Sequence, residues 1–162
     1  MCGIFLFTRN NNLNLNGEVF LKNLKHRGPD FQKIYRDNDV EIGHTLLSIR
    51  DTIDKSIQPV ITDNGRYIIS FNGQIYNLKE IKKKFDLPND IILDTTIISI
   101  LCNKLGLKFI HEIDGMFALI IYDKVDKKII SIRDNTGQKP LYYFFDNKNF
   151  ILSSEIDPIL KS

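Results

Sequence analysis

Apolar residues form short strand-like runs at both ends of the chain, whereas helical spacing predominates in the middle. The pattern predicts strands at residues 2–7, 31–36, 40–49, 116–123, 128–133, 141–146 and 150–154, with two more inside 66–77. It predicts helices at 18–25, 78–85 and 107–113 and one beginning at Asp94, where apolar residues recur three and four positions apart. Residues 51–64 are predicted to be a loop. Strands at both ends with helices between them are typical of an α+β domain with mostly antiparallel sheets.

The dipeptide Asn72-Gly73 lies between apolar strand residues. This is the strongest short signal for a β-hairpin, since both turn positions need positive φ angles. The same two residues could also form an oxyanion hole, because the Asn72 amide and the Gly73 N–H can point at one carbonyl oxygen. The two interpretations are compatible, since a stiff turn fixes both donors.

The composition is that of an ordinary globular protein. With 162 residues, 43% hydrophobic and 26% charged, the chain is expected to be one domain that buries roughly 70% of its unfolded surface. Its 22 basic and 20 acidic residues give a net charge of +2, which offers no electrostatic case for binding nucleic acid or an anionic membrane. The start of the chain lacks the pattern of a signal peptide, and no apolar stretch is long enough to span a membrane.

Two cysteines, Cys2 and Cys102, are too few for a disulfide framework or a cysteine metal site. Cys102 falls in the apolar helical run and is predicted to be a core residue. No metal and no organic cofactor are implied. The predicted location is the cytoplasm, a reducing compartment that suits a catalytic thiol.

Cys2 follows the initiator Met1, and this position permits one particular chemistry. If Met1 is removed, the thiol of Cys2 and its free α-amine lie on the same residue. The unperturbed pKa values are about 7.7–8 for the amine and about 8.5 for the thiol, so the amine can accept the thiol proton near neutral pH. The alternative is that Cys2 is a small buried residue at the start of a strand.

Further motifs follow along the chain in a distinctive order. They are Met1-Cys2-Gly3-Ile4, His26-Arg27-Gly28-Pro29-Asp30, Leu47-Ser48-Ile49, Asn72-Gly73-Gln74-Ile75-Tyr76-Asn77, Asp114-Gly115-Met116-Phe117-Ala118, the segment from Arg133 to Tyr143, and Ser153-Ser154-Glu155-Ile156. Taken together, the chain resembles the glutaminase domain of class II glutamine amidotransferases, and in particular the N-terminal domain of glutamine-hydrolysing asparagine synthetases. The resemblance covers residues 1–162, and the synthetase domain of those enzymes is expected to be absent from this chain.

The resemblance implies an N-terminal-nucleophile hydrolase fold, a four-layer αββα sandwich with two antiparallel sheets. It implies that Cys2 attacks the side-chain amide of glutamine while Asn72 and Gly73 hold the oxyanion. It also implies that Asp94 binds the substrate α-ammonium, although a helix N-cap would equally suit its position. The implied substrate-binding residues further include Gln74 and the segment Leu46, Leu47, Ser48, Ile49 and Arg50.

Two positions depart from the family pattern. Leu46 stands where the family usually has an arginine that pairs with the glutamine α-carboxylate, and Arg50 could replace it only if the chain bends. Gln74 stands where the family usually has glutamate, so one negative charge near the ammonium is missing. These changes predict weak glutamine binding or a different amide substrate, and they put the activity in question.

Three hypotheses therefore remain at the level of sequence. In the first, the domain hydrolyses glutamine and supplies ammonia to a separate ATP-dependent synthetase or transferase subunit, with asparagine synthesis as one destination. In the second, it is a weakened or inactive module that regulates or scaffolds a partner. In the third, it hydrolyses another small amide. The presence of Cys2, Asn72 and Gly73 favours catalysis.

Overall fold

The computed structural model describes residues 1–9, 15–49 and 52–162. The strands are β1 (Gly3–Thr8), β2 (Phe31–Arg36), β3 (Val40–Leu46), β4 (Val60–Ile61), β5 (Tyr67–Ile75), β6 (Gly115–Asp123), β7 (Lys128–Arg133), β8 (Tyr142–Phe145) and β9 (Phe150–Ser153). The helices are α1 (Gly17–Leu24), α2 (Ile53–Ser56), α3 (Leu78–Phe85), α4 (Asp94–Leu105) and α5 (Ile156–Leu160), with a 3₁₀ helix at Gly106–Glu112. The predicted α+β class is confirmed.

The strands form two antiparallel sheets. The first sheet has the order β2-β3-β1-β9-β8, and the second has the order β4-β5-β6-β7. In the first sheet β1 is central, with β3 on one side and β9 on the other. In the second sheet β5 and β6 pair along their whole length, from Tyr67 opposite Asp123 to Ile75 opposite Gly115. The N-terminus of the chain therefore emerges from the middle of a sheet.

Alternating side chains separate three apolar layers. In β1, Ile4 and Leu6 belong to the layer between the two sheets, whereas Phe5 and Phe7 pack with Phe20 of α1. In β6 the residues with even numbers belong to the layer between the sheets, and those with odd numbers pack with the layer formed by α3 and α4. Because successive strand residues point to opposite faces, this division gives the order helix, sheet, sheet, helix. The predicted αββα sandwich is confirmed.

The hairpin predicted at Asn72-Gly73 is wrong. β5 continues straight through both residues, which lie opposite Ala118 and Phe117 of β6. A Cβ atom on Gly73 would lie only 2.3 Å from the Met116 carbonyl oxygen. The glycine is thus required by the close approach of two strands rather than by a turn.

Other differences concern short or irregular segments. Residues 51–64, predicted to be a loop, contain α2 and β4, which have four and two residues and are too short for a periodic signal. The strand predicted at 40–49 ends at Leu46, because the Leu47 N–H is directed to Cys2 Sγ and the Ser48 N–H donates to Asp30. The short helix α5 was not predicted.

Candidate active site

Cys2 immediately precedes β1 and lies at the side of a cleft of about 200 Å³. This volume is below the range of about 300–1,000 Å³ usual for sites of drug-sized ligands, which indicates a small ligand. The thiol is flanked by the backbone of Leu47, whose N–H is 3.4 Å and whose carbonyl oxygen is 3.8 Å from Sγ. Met1 also lines the cleft and is half exposed.

Three buried polar side chains fix the backbone around Cys2. Arg27 Nε donates to the Cys2 carbonyl oxygen at 3.0 Å, and Thr45 Oγ1 accepts from the Gly3 N–H at 3.0 Å. Ser154 Oγ accepts from the Ile4 N–H at 2.9 Å. A Cβ atom on Gly3 would lie 2.6 Å from Thr45 Oγ1, so only glycine allows this approach. The Cys2-Gly3 pair is therefore held rigidly at the cleft.

Arg27 connects the N-terminal segment to the end of the chain. Its guanidinium also donates to Glu155 at 3.0 Å, and His26 Nε2 lies 3.0 Å from the same carboxylate oxygen. The Arg27 side chain is almost completely buried, so the ion pair is screened little by solvent. The His26-Arg27 motif thus supplies one of the three side chains that fix the backbone around Cys2.

Burial governs the protonation of the thiol. It raises the pKa of Cys2 above its ordinary value, and the hydrogen bond from the Leu47 backbone opposes the rise only in part. The thiol is therefore protonated at neutral pH and needs a base before it can act as a nucleophile. Removal of Met1 would place an amine on the same residue as this protonated thiol.

The edge of β5 faces the cleft beyond the end of β4. The N–H groups of Phe71 and Ile75 point away from β6, because they donate to Gln58 Oε1 and Asp94 Oδ1 at 2.7 and 3.0 Å. Alternate residues of a strand direct their N–H groups to the same side. The N–H of Gly73 therefore also points away from β6, into the gap between Gln58 and Asp94.

Asn72 lines the same cleft and is only 4% exposed. Its side-chain nitrogen Nδ2 is buried and has no hydrogen-bond partner among the residues that the structure describes. Buried amide donors are nearly always paired, since an unsatisfied one costs about 1–3 kcal/mol. Two donors, the Asn72 amide and the Gly73 N–H, are thus available at the cleft for a ligand oxygen.

Asp94 and Gln74 lie at the same cleft. Asp94 is the first residue of α4, and Leu93 is the N-cap, so the alternative that Asp94 is the helix N-cap is wrong. Its carboxylate instead joins the start of α4 to β5 through Ile75. Asp94 is buried and places its carboxyl group at the cleft, and Gln74 adds an amide there.

The predicted substrate-binding segment is only partly a strand. Leu46 is the last residue of β3 and is buried, whereas Leu47, Ser48 and Ile49 follow it along the wall of the cleft. Asp30 holds this turn, accepting from the Ser48 N–H and donating its own N–H to the Leu46 carbonyl oxygen. Arg50 lies outside the described residues. Leu46 is apolar and, as expected, offers no charge to a carboxylate.

Several cleft residues were not predicted from the sequence. Besides Met1, they are Ser56, Gln58, Phe71, Leu93, Thr95, Met116 and Lys139. The position of Lys139 is explained by a tight turn built on the buried carboxylate of Asp134. This carboxylate accepts hydrogen bonds from the Gln138 and Lys139 N–H groups. Gln58 could not be predicted as a cleft residue from the sequence, because its role depends on the strand that it faces.

The remaining candidate groups are not at the cleft. Burial lowers the pKa of His44 to about 3, against the effect of its hydrogen bond with the Phe71 backbone, so the ring is neutral. Burial raises the pKa of Cys102 to about 12, in the predicted core position. Within residues 1–9, 15–49 and 52–162, no group of three or more His, Cys, Asp and Glu side chains could hold a metal ion. In that same part of the chain, every helix is too short or too polar to cross a membrane.

Comparison with known proteins relates this cleft to one family. A family model described as a glutamine amidotransferase domain matches residues 1–162. A Methanocaldococcus jannaschii protein assigned as glutamine-hydrolysing asparagine synthetase 2 is 37% identical over 180 aligned positions, which cover 99% of this chain and 35% of that protein. Glutamine-hydrolysing asparagine synthetase 2 of Bacillus subtilis is 35% identical over 82% of this chain and 18% of its own length. The chain thus spans about a third or less of these curated relatives.

Solved structures share the fold at low sequence identity. The glutamine phosphoribosylpyrophosphate amidotransferase of B. subtilis superposes with a TM-score of 0.70 at 16% identity, covering 98% of this chain and 43% of that one. A structure described as the allosteric regulatory enzyme of purine biosynthesis gives a TM-score of 0.73 at 17% identity, with the same coverage. At these identities the similarity concerns the arrangement of sheets and helices alone.

Proposed function

The chain belongs to the family of glutamine amidotransferase domains, and on this basis we propose that it hydrolyses the side-chain amide of glutamine with Cys2 as an N-terminal nucleophile. The observation that carries the proposal is Asn72 Nδ2, which is buried at the cleft that also contains Cys2 and has no hydrogen-bond partner among the described residues. A binding site for an oxyanion needs such preorganised donors before the reaction begins.

The proposed reaction begins after removal of Met1. The α-amine of Cys2 accepts the thiol proton, and Sγ attacks the side-chain carbonyl carbon of glutamine. The carbonyl oxygen becomes an oxyanion that accepts hydrogen bonds from Asn72 Nδ2 and the Gly73 N–H. The carbon–nitrogen bond then breaks, and the nitrogen takes the proton from the α-amine and leaves as ammonia. Water hydrolyses the remaining thioester, which releases glutamate and restores the thiol.

Asp94 is the proposed partner of the substrate α-ammonium. Its carboxylate accepts a hydrogen bond from the Ile75 N–H, which fixes it at the cleft. Ile75 lies two residues beyond Gly73 on β5, so the carboxylate is separate from the two oxyanion donors. Gln74 would add a neutral hydrogen bond where a glutamate would add charge. Leu46 leaves the substrate α-carboxylate without the usual arginine, and Leu47, Ser48, Ile49 and Arg50 are proposed as the remaining contacts. We therefore expect glutamine to bind more weakly than in a domain with both charges.

The ammonia is proposed to pass to a separate ATP-dependent synthetase or transferase subunit, and residues 1–162 are proposed to form the glutaminase domain. The synthetase component of this proposal is supported by the relatives, which are named as asparagine synthetases and are about three times longer than the matched segment or more. It is also supported by β8, an edge strand whose four aromatic residues are all exposed. Exposed apolar surface of this kind marks contacts between proteins.

The test is the release of glutamate from glutamine by the purified chain beside Cys2→Ala. Release by the parent and none by the variant is expected, and equal release by both would refute the nucleophile. The double variant Leu46→Arg with Gln74→Glu measures the effect of the two departures. We expect it to lower KM by about 10-fold or more, the effect of regained charge contacts. An unchanged KM would mean that these positions do not contact glutamine.

A second candidate function is a non-catalytic module that binds a partner, which the exposed aromatic strand β8 also favours. This hypothesis predicts no release of glutamate, or of ammonia from asparagine and other small amides, although Met1 has been removed. It further predicts that a synthetase partner still binds the Cys2→Ala variant as tightly as the parent. Hydrolysis of a different amide, lost in the same variant, would favour the third hypothesis instead.

A further inference from the structure

The edge of β5 is held by side chains rather than by a strand. β4 pairs with β5 at two positions only, Val60 opposite Ile69 and Ile61 opposite Ile68. If this register continued, residue 58 would lie opposite Phe71. The Gln58 side-chain oxygen takes the place of a strand carbonyl there, because it accepts from the Phe71 N–H at 2.7 Å.

The strand partner is missing at the next position along the edge. Continuing the same register would place Ser56 opposite Gly73, but Ser56 ends α2 and lines the cleft. A neighbouring strand at this point would accept the Gly73 N–H. Its replacement by Gln58 on one side and Asp94 on the other keeps the backbone extended while leaving a gap at Gly73.

We propose that Gln58 is a positioning residue that fixes the oxyanion-binding part of β5 by holding the Phe71 N–H. The inference rests on the proposed function, since it assigns Gln58 to the same reaction. Gln58 is 7% exposed and makes a short hydrogen bond, so its acceptor is well shielded from water. Phe71 precedes Asn72 and Gly73 directly, and a small rotation of its peptide unit would misdirect both donors.

The matched pair of variants is Gln58→Met and Gln58→Glu. Methionine keeps the length of the side chain but lacks the oxygen acceptor, whereas glutamate keeps an oxygen at the same place. Gln32→Met is the control, since Gln32 is a half-buried residue of β2, an edge strand of the other sheet. We expect Gln58→Met to lower kcat for glutamine about 10- to 100-fold with KM changed less than about twofold.

Two further measurements separate positioning from a general loss of structure. Alkylation of Cys2 by iodoacetamide needs no oxyanion hole and should proceed at the parent rate in Gln58→Met. The Phe71 amide should exchange its hydrogen with solvent faster in this variant, whereas amides of the first sheet should not. Gln58→Glu should retain most of the parent kcat, and Gln32→Met all of it.

Other results would overturn the proposal. A raised KM with unchanged kcat would make Gln58 a substrate contact, and equal kcat in Gln58→Met and the parent would leave it no role in positioning. Slow alkylation in Gln58→Met would indicate damage to Cys2 itself. If the parent released no glutamate, the proposed function would fail. In that case, unchanged exchange of the Phe71 amide in Gln58→Met would also show that Gln58 does not hold the edge of β5. Faster exchange would support this structural role of Gln58 but not a role in the reaction.

Discussion

At the scale of single residues, the cleft is lined by hydrogen-bond donors that are not paired with other groups of the described chain. Asn72 Nδ2 is buried without a partner in the described part of the chain, and the neighbouring Gly73 N–H is directed into the gap at the edge of β5. A protein interior rarely contains such donors, because their desolvation is not compensated. Their presence beside Cys2 is explained if the missing acceptor is the oxygen of a reacting carbonyl.

Replacement of Asn72 by alanine tests this explanation. We expect Asn72→Ala to lower kcat for glutamine hydrolysis about 10²- to 10³-fold, the usual effect of removing one oxyanion donor. Asn103→Ala is the control, since Asn103 also has a buried polar atom without a partner in the described ranges but lies near the end of α4 and does not line the cleft. Equal activity of the parent and Asn72→Ala would show that the amide does not act in the reaction.

The pH dependence of Cys2 alkylation tests the state of the thiol. Burial raises its pKa above the ordinary value of a cysteine thiol, so with Met1 in place the thiolate is scarce at neutral pH. The rate of reaction with iodoacetamide should therefore rise about 10-fold per pH unit between about pH 7 and about pH 9. A rate that levels off near neutral pH would mean that the thiol is activated without the free α-amine.

Sequence alone predicted several residues that line the cleft but not the residues that hold them in place. Cys2, Asn72 and Gly73 belong to short motifs, Asp94 begins a predicted helix, and all four lie at one cleft. Gln58 could not be found, because an acceptor that replaces a strand neighbour follows no periodic pattern. For Arg27 the motif was visible, but its contact with the Cys2 carbonyl joins residues that are far apart in the chain.

At the scale of elements, the pairing of β5 with β6 overrides the local turn preference of Asn72-Gly73. Asn-Gly favours a two-residue hairpin turn, but β6 supplies a partner for all nine residues of β5. The backbone hydrogen bonds of a full ladder outweigh the local preference for a turn. Gly73 is then needed because a larger residue would clash with Met116 and Phe117 of β6.

This role predicts the effect of adding a single methyl group. Gly73→Ala should lower the free energy of unfolding by roughly 2 kcal/mol or more, because its Cβ would clash with backbone atoms of β6. Gly65→Ala, at a position with open space but a φ of +70°, should cost only about 1 kcal/mol. Urea denaturation of both variants measures the difference, and equal losses would contradict the close packing inferred at Gly73.

The turn after β7 depends on a single carboxylate. Burial alone would raise the pKa of Asp134, but hydrogen bonds from the N–H groups of Gln138, Lys139 and Phe117 and from the Thr136 hydroxyl lower it to about 2. These bonds join the turn to β6 and place Lys139 at the cleft.

The sign of this pKa shift gives a prediction for Asp134→Asn. The stabilisation by the carboxylate is complete above its unfolded pKa of about 4 and is lost as the pH falls through about 2. At neutral pH the variant should therefore have a free energy of unfolding about 1–3 kcal/mol lower than the parent, measured by urea denaturation. This difference should shrink towards pH 2. A difference independent of pH would show that shape, not charge, accounts for the loss.

Predictions for the elements succeeded where a periodic pattern was long and failed where tertiary contacts decided. β2, β7 and α3 have the predicted bounds, and in α3 the apolar residues Leu78, Ile81 and Phe85 keep helical spacing over the whole element. The end of β3 was misplaced by three residues because the thiol of Cys2 and the Asp30 carboxylate take the next two N–H groups. No property of residues 47–49 themselves marks this end.

At the scale of the whole molecule, the fold brings the start of the chain to the junction of the two sheets. β1 lies in the centre of its sheet and also packs against the second sheet through Ile4 and Leu6. Cys2, which directly precedes this central strand, therefore lines the same cleft as the edge of β5. This arrangement requires both sheets, because the proposed nucleophile adjoins β1 of one sheet and the proposed oxyanion donors lie on β5 of the other.

The role of Cys2 as an N-terminal nucleophile is tested by comparing two preparations of the chain in glutamine hydrolysis. One begins at Cys2, and the other retains Met1, with the N-terminus of each established by intact mass. We expect glutamate release only by the chain that begins at Cys2, since only there is the α-amine free to accept the thiol proton. Equal release by both preparations would contradict an N-terminal nucleophile.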